Sequence, residues 1–217
     1  MATYQELKNR ALETLKGKWV ESCIAVVIYS IIMGATTFAL GLFAGDSETR
    51  STFASVVVNL VLAPLEWGVV IIFLRMARGC QPNFGYLFEG FNRWGRIVAI
   101  YLLRGIYTFL WTLLLIVPGV VKSYSYALTP YIMEDRPELG YNATIEESMR
   151  LMQGNKMRLF LFDLSFIGWF LLCLLTLGFG LIFLGPYWST ARAHFYEELK
   201  AADKTAEAGT TDAGRWA

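Results

Sequence analysis

The sequence predicts an all-α protein, a polytopic membrane helical bundle that forms a single domain over residues 1–200. Composition is the first observation behind this prediction. Hydrophobic residues make up 55% of the 217 residues, charged residues make up 17%, and mean hydropathy is +0.44, whereas about 25% of residues are charged in ordinary soluble domains. The second observation is the segment Leu159–Glu198, which carries no charge from Leu164 to Leu184. It is longer than the roughly 20 apolar residues that cross a bilayer as one helix.

That apolar segment is broken at Leu177–Gly180, which predicts two membrane helices joined by a tight glycine turn. Similar breaks divide the rest of the chain, so we expect six transmembrane helices in three hairpins. Their predicted bounds are 23–44, 53–74, 97–117, 119–133, 159–177 and 181–198. The helix breaks are expected at Pro64, Pro118, Gly119, Gly178, Gly180 and Pro186, because proline interrupts the helical hydrogen bonds and glycine accepts turn conformations.

The fourth predicted span, 119–133, is short and half polar, and whether it crosses completely stays open. The basic residues before and after it should lie on one side of the membrane, so the chain must return between them. A weak internal repeat supports the same interpretation, since setting Tyr124 on Tyr187 brings Glu134 onto Glu197.

Two amphipathic helices and a tail complete the predicted architecture. Residues 3–18 place Thr3 and Glu6 at capping-box spacing. This helix either lies on an anionic membrane surface or forms a solvated lead-in to the first span. A second short helix, 144–153, has the same type of cap, is expected to stop at Gly154 and is expected on the membrane face. Residues 201–217 have no periodicity and predict a disordered tail.

A basic and aromatic segment joins the second and third predicted spans. It carries Arg75, Arg78, Arg93 and Arg96 among interleaved Phe, Tyr and Trp residues. Such a mixture can mark nucleic-acid binding, but beside two membrane spans it favours an interfacial position with the basic groups toward lipid headgroups. By the positive-inside rule this segment and both termini are expected in the cytoplasm.

Four charged residues fall inside the predicted spans: Glu66, Arg104, Lys122 and Asp163. Each would cost roughly 3 kcal/mol facing lipid, so each should face protein or water. Glu66 lies nine residues before Arg75, and Arg104 lies eight after Arg96. At 1.5 Å per residue both are about 12 to 14 Å from the inner end of their spans, which predicts an ion pair between them.

The same reasoning predicts that Asp163 meets Arg192 near the inner end of the sixth span. Such pairs are either ionic clips between hairpins or parts of a proton or substrate pathway. We favour clips, because two pairs of opposite sign are all that neutralisation requires.

No motif of the chain predicts catalysis, so we expect no enzyme, no metal and no cofactor. His194 is the only histidine, has no nearby Cys or second His to complete a zinc site, and is expected to make an interfacial polar contact. The serines fall in no nucleophile-elbow pattern, and the three cysteines are expected to be free thiols. A membrane enzyme would need a polar cluster near Asp163, Arg192 and His194 arranged around a lipid headgroup.

Three segments carry a family resemblance. They are VPGVVKSYSYALTPYIMED from Val117, SMRLMQGNKMRLF from Ser148, and LSFIGWFLLCLLTLGFGLIFLGPYWSTARAHFYEEL from Leu164. Together with ELKNRALETLKGKW and LFEGFNRWGR, they make the chain resemble the bacterial family called domain of unknown function 975. That family is distantly similar to the membrane domain attached to some glycerophosphodiester phosphodiesterases. The resemblance implies an integral protein of the plasma membrane and supplies neither an activity nor site residues.

The function expected from the sequence is that of a membrane-embedded scaffold or accessory, whose partners are membrane lipids or another protein. The alternative is a small transporter or exporter component in which the intramembrane charges line a polar cavity and prolines allow hinging. A polar cavity that reaches mid-membrane would favour transport. A dry interior with all charges paired would favour the scaffold.

Overall fold

The computed structural model describes residues 2–44, 48–176 and 178–213, and no β-strand occurs within these ranges. The α-helices are α1 (Tyr4–Leu15), α2 (Trp19–Ala44), α3 (Glu48–Val61), α4 (Ala63–Ala77), α5 (Tyr86–Glu89), α6 (Trp94–Leu114), α7 (Ile116–Ser125), α8 (Thr129–Asp135), α9 (Tyr141–Leu151), α10 (Lys156–Leu164), α11 (Ile167–Leu175) and α12 (Leu181–Ala213). A short 3-10 helix, Gly90–Arg93, joins α5 to α6.

Three helix pairs fold back on themselves: α2 with α3, α6 with α7, and α11 with α12. The large apolar side chains near each turn are mostly exposed, and in α6 and in α10–α11 the buried ones lie toward the other end. Along α6, Ile100 is fully buried whereas Leu113 is 73% exposed, and Phe162 of α10 is fully buried whereas Leu175 of α11 is 82% exposed. We call the exposed ends the tips (residues 31–44, 48–61, 102–121, 167–176 and 178–183) and the opposite end of the molecule the base.

Three helical segments are long and apolar enough to cross a membrane: Trp19–Leu42, Tyr86–Leu114 and Lys156–Leu175. The pair Thr52–Val61 and Ala63–Ala77 would add a fourth span, bent by 48°. Six membrane-spanning helices are therefore not confirmed in the described residues. The end of the predicted fifth span, Leu177, lies outside them.

The predicted fourth span is not one helix, because Tyr126–Leu128 separates α7 from α8. Pro130 lies in the first turn of α8. Proline disfavours helical geometry in the residue before it, so a new helix begins there instead of the old one continuing.

Not every predicted proline or glycine break coincides with the end of a helix. Pro64 lies in the first turn of α4, just past the bend. Pro118 and Gly119 lie inside α7, and the reversal from α6 occurs at Leu115, whose backbone is extended (φ −161°, ψ 140°). Pro186 lies inside α12, which continues past it, so the predicted breaks at these last three positions are wrong.

The three predicted break glycines serve close packing or turn geometry. Gly178 has a φ of +87° in the turn between α11 and α12, as a tight glycine turn requires. A Cβ at Gly119 would collide with Thr112, and one at Gly180 would lie 2.6 Å from the Cys173 sulfur. These two glycines therefore let the second arm of a hairpin pack closely on the first.

The helix α1 has the predicted capping box, formed by Thr3 and Glu6. Its apolar face does not lie on a membrane surface in the structure. Leu7, Ala11 and Leu15 are fully buried, and α1 packs against α12. An amphipathic stripe shows that a helix has a partner surface, and here that surface is protein.

The second amphipathic helix begins three residues earlier than predicted. Gly140 is the N-cap of α9, and the Thr144 hydroxyl donates to the Gly140 carbonyl instead of capping. Ile145 and Met152 are buried in the core, and Gly154, with a φ of +77°, follows the helix end as predicted.

The chain beyond Ala201 is helical where the sequence predicts disorder, since α12 continues to Ala213. Alanine, lysine and glutamate in this segment are strong helix formers. An ion pair of 2.6 Å between Arg150 and Asp203 also fastens the segment to α9. Residues 214–217 of the predicted tail lie outside the described ranges.

Candidate functional site

A groove lies between α3–α4 on one side and α6 on the other. Its larger arm has a volume of about 630 Å³ and its smaller arm about 490 Å³. Glu66, Tyr101, Gly105 and Phe109 line both arms. The two arms are therefore continuous, and we call the whole the α3–α6 groove.

The larger arm extends from Glu66 toward the tips. Its walls are mostly aliphatic and aromatic and include Val56, Leu60, Leu102, Ile106 and Phe109. Val56, Ile106 and Phe109 are exposed, so the arm opens on the side of the molecule. An apolar channel of this kind accommodates a hydrocarbon chain.

The smaller arm carries polar side chains along one face of α6. Arg104, Thr108 and Thr112 recur every four residues, which places them on the same face of the helix. The two threonine hydroxyls donate to backbone carbonyls of their own helix, at 2.9 and 2.8 Å. Their hydrogen-bonding capacity is thus largely used, and the chemistry of this arm rests on Glu66, Tyr101 and Arg104.

Glu66 and Arg104 face the same arm but do not form the ion pair that the sequence predicts. Within the described part of the chain no ion pair of 4.0 Å or less joins them, although the Arg104 guanidinium acts on the Glu66 carboxylate through space. The guanidinium carbon of Arg104 lies 5.9 Å from the centre of the Tyr101 ring. The Tyr101 hydroxyl is buried and has no hydrogen-bond partner in this part of the chain.

The surroundings of α6 place this charged end beside polar residues of the base. Tyr107 donates to the Asn142 side chain at 3.1 Å, and Arg96 donates to the Pro137 carbonyl. The polar segment before α9 thus runs alongside the first half of α6.

Asp163 and Arg192 do form the contact that the sequence predicts. Arg192 donates to the carboxylate from Nη2 at 2.6 Å and from Nε at 3.2 Å, and Trp188 donates from Nε1 at 3.0 Å. Both charged side chains are less than a quarter exposed, at 16% and 24%. The pair ties α10 to α12.

Lys122 and His194 lie outside the groove. The Lys122 ammonium is 4.8 Å from the centre of the Trp111 ring and 3.9 Å from the Met149 sulfur. His194 Nε2 lies 2.8 Å from the Thr14 hydroxyl of α1. Both residues therefore contribute to packing between helices.

Three of the four arginines predicted to face headgroups, Arg75, Arg78 and Arg93, contact carboxylates at the base. Arg75 contacts Glu134 at 2.6 Å and Glu89 at 3.1 Å. Arg93 adds a longer contact of 3.6 Å to Glu134. Arg96 donates to backbone carbonyls. The basic segment is thus fastened to α8 by charge pairs that the sequence reasoning missed.

A second part of this network surrounds Asp135. Arg78 contacts Asp135 at 2.7 Å and Glu197 at 2.6 Å, and Lys200 contacts Asp135 at 2.5 Å. Burial raises the pKa of Asp135, but hydrogen bonds from Lys200, Arg78 and Tyr196 outweigh burial and hold the pKa below its ordinary value. The carboxylate is therefore a stable anionic centre that joins α4, α8 and α12.

Comparison with known proteins gives one match. A family model described as "Protein of unknown function (DUF975)" matches residues 1–129 and 113–203, which together cover most of the chain. No curated protein and no solved structure matches.

Proposed function

We propose that this protein, which belongs to the DUF975 family, binds a membrane lipid in the α3–α6 groove and acts as a non-enzymatic membrane scaffold or accessory. One observation carries the proposal. A single groove joins an apolar arm to an end that holds a carboxylate, a guanidinium and an unpartnered hydroxyl. That arrangement matches an amphiphile, which has a charged head and a hydrocarbon tail.

The position of the groove supports a ligand that arrives from the membrane. Its aliphatic walls are exposed at the side of the molecule, where the tips expose most of the large apolar side chains. Contiguous apolar surface of this kind marks contact with lipid or with a partner. A lipid can therefore enter sideways without any opening of the fold.

The charges of the groove also need a ligand. An ionised side chain beside hydrocarbon costs roughly 3 kcal/mol. Because Glu66 and Arg104 do not neutralise each other by direct contact, a bound headgroup would offset much of this cost.

The same reasoning gives a topology. The three hairpins enter the plasma membrane tips first, and the base with its arginines and both termini lies in the cytoplasm. The exposed apolar tips and the concentration of basic residues at the base support this arrangement. The partners of the protein are then lipids at the tips and groove, and any protein partner would meet the base.

Filling the groove tests the proposal. A Cβ added at Gly105 meets no atom within 4 Å, so a side chain can begin there without a clash, and leucine should extend into the groove that Gly105 lines. Gly105→Leu should reduce the lipid retained by the purified protein, measured by native mass spectrometry, by about tenfold, equivalent to 1.4 kcal/mol.

The matched control is Gly95→Leu on the same helix. A Cβ at Gly95 also meets no atom within 4 Å, and Gly95 does not line the groove. This variant should retain lipid as the unmodified protein does. Equal retention by Gly105→Leu and the unmodified protein would contradict the proposal.

Transport of the same amphiphile is the second candidate, and the bend between α3 and α4 favours it. These helices form one wall of the groove and meet at an angle of 48°, and broken helices serve as hinges in transporters. Reconstitution in vesicles separates the two functions. A transporter moves a fluorescent lipid between leaflets, whereas a scaffold binds it and leaves its distribution unchanged.

A further inference from the structure

We infer that the lipid in the α3–α6 groove carries a zwitterionic headgroup with a primary ammonium, of the phosphoethanolamine type. This inference rests on the proposed lipid binding and names the class of ligand. It starts from the separation of charge at the polar end, where Glu66 and Arg104 face one space without an ion pair between them.

Opposite charges that face one cavity select a ligand with both signs. An anionic headgroup would bind Arg104, since guanidinium groups bind phosphate oxygens through paired hydrogen bonds. The same headgroup would leave Glu66 unpaired and repelled. A cationic amphiphile would bind Glu66 but leave Arg104 unpaired and repelled. Only a headgroup with a phosphate and an ammonium satisfies both side chains.

The hydrogen-bonding groups distinguish a primary ammonium from a quaternary one. A primary ammonium has three N–H donors, and the groove offers it the Glu66 carboxylate and the unpartnered hydroxyl oxygen of Tyr101. A quaternary ammonium has no N–H and binds instead over aromatic ring faces. The Tyr101 ring already has the Arg104 guanidinium 5.9 Å from its centre. The groove therefore favours the primary ammonium.

The test compares three lipids that share dioleoyl chains: phosphatidylethanolamine, phosphatidylcholine and phosphatidylglycerol. Dissociation constants are measured by native mass spectrometry on the full chain in detergent. Phosphatidylethanolamine should bind about tenfold more tightly than either of the others, the difference expected for one charge-assisted hydrogen bond. Soluble glycerophosphoethanolamine should not displace it, because the apolar arm contributes to binding.

Three variants test which residues determine the preference for phosphatidylethanolamine. Tyr101→Phe should weaken phosphatidylethanolamine binding and leave phosphatidylcholine unchanged. Glu66→Gln should bring phosphatidylglycerol close to phosphatidylethanolamine, because the repelling charge is removed. Arg104→Gln should weaken all three phospholipids.

Lys122→Gln is the control, since it removes a charge of α7 that lies outside the groove. It should leave all three dissociation constants unchanged.

The outcomes separate this inference from the proposed function. Equal binding of all three lipids, still reduced by Gly105→Leu, would overturn the headgroup assignment and keep the lipid-binding function. Equal binding of phosphatidylcholine and phosphatidylethanolamine would overturn the primary ammonium. Binding of no lipid to the unmodified protein would overturn both.

Discussion

Two carboxylate–arginine pairs behave differently in this structure. Asp163 and Arg192 are in contact at 2.6 Å. Glu66 and Arg104 share a cavity without such a contact. The first pair is the ionic clip that the sequence reasoning favoured, and the second is left available for a ligand.

Double-mutant cycles measure this difference. For Asp163→Asn combined with Arg192→Gln, we expect a coupling of about 1 to 3 kcal/mol in the free energy of unfolding, as for residues in one hydrogen-bond network. For Glu66→Gln with Arg104→Gln, the coupling should remain below about 0.5 kcal/mol. Chemical or thermal unfolding in detergent gives both values. A large coupling in the second cycle would show that these side chains are in contact.

Charged residues in apolar segments predicted part of the α3–α6 groove from the sequence. Glu66 and Arg104 stand out because a charge in a hydrophobic run is costly. Tyr101 and Gly105 gave no comparable signal, although Arg104, Thr108 and Thr112 form a polar stripe at helical spacing. A groove is a gap between helices, so its position depends on long-range packing that one sequence does not reveal.

The C-terminal part of α12, which the sequence predicts as a disordered tail, is attached to α9. Arg150 contacts Glu147 at 2.8 Å and Asp203 at 2.6 Å. Hydrogen bonds from Arg150 hold the pKa of Glu147 and of Asp203 below their ordinary values of 4.5 and 3.8. A carboxyl group whose pKa is lower in the folded protein stabilises the fold above its unfolded pKa. This stabilisation disappears as pH falls through the folded value.

Asp203→Asn should therefore lower the melting temperature at neutral pH, and the difference should vanish well below pH 3.8. The expected loss is about 0.2 to 1 kcal/mol, because the pair is near the surface. Glu146→Gln is the control, since Glu146 is exposed on α9 and has no ion pair in the described residues. An Asp203→Asn effect of equal size at both pH values would contradict the assignment.

At the scale of helices, some local signals were reliable, whereas the predicted cap at Thr144, the predicted breaks at Pro118 and Pro186, and the partner surfaces were not. The capping box of α1 and the glycine after α9 are found as predicted, because both depend on a few neighbouring residues. The apolar stripe of α1 was equally clear, but it packs on α12 and not on a membrane. The reversal at Leu115 has no glycine or proline at the turn itself, so no local signal marked it.

At the scale of the whole molecule, the pairing of helices into three hairpins followed from the apolar segments and their breaks. The number of membrane-spanning helices is not confirmed. Hydropathy treats 119–133 as a weak span, whereas the chain there belongs to two short helices, and only its second half, with Tyr126, Leu128 and Met133, packs into the core. Burial by neighbouring helices decides between these outcomes.

Cys80 provides a test of the proposed sidedness. Its thiol is exposed, whereas Cys173 is buried, and Lys18 donates to the Cys80 carbonyl at 3.1 Å, at the base end of α2. A membrane-impermeant maleimide should label Cys80 in inside-out vesicles and not in right-side-out vesicles. Cys80→Ser should abolish the labelling. Labelling from the outside would contradict a cytoplasmic base.

The most direct measurement is an experimental structure of the protein in a bilayer that contains dioleoyl phosphatidylethanolamine. The account predicts headgroup density between Glu66 and Arg104, a hydrocarbon chain along Val56 and Phe109, and no direct contact between the two charged side chains. A groove closed by α3 against α6, without lipid and with Glu66 bound directly to Arg104, would contradict it.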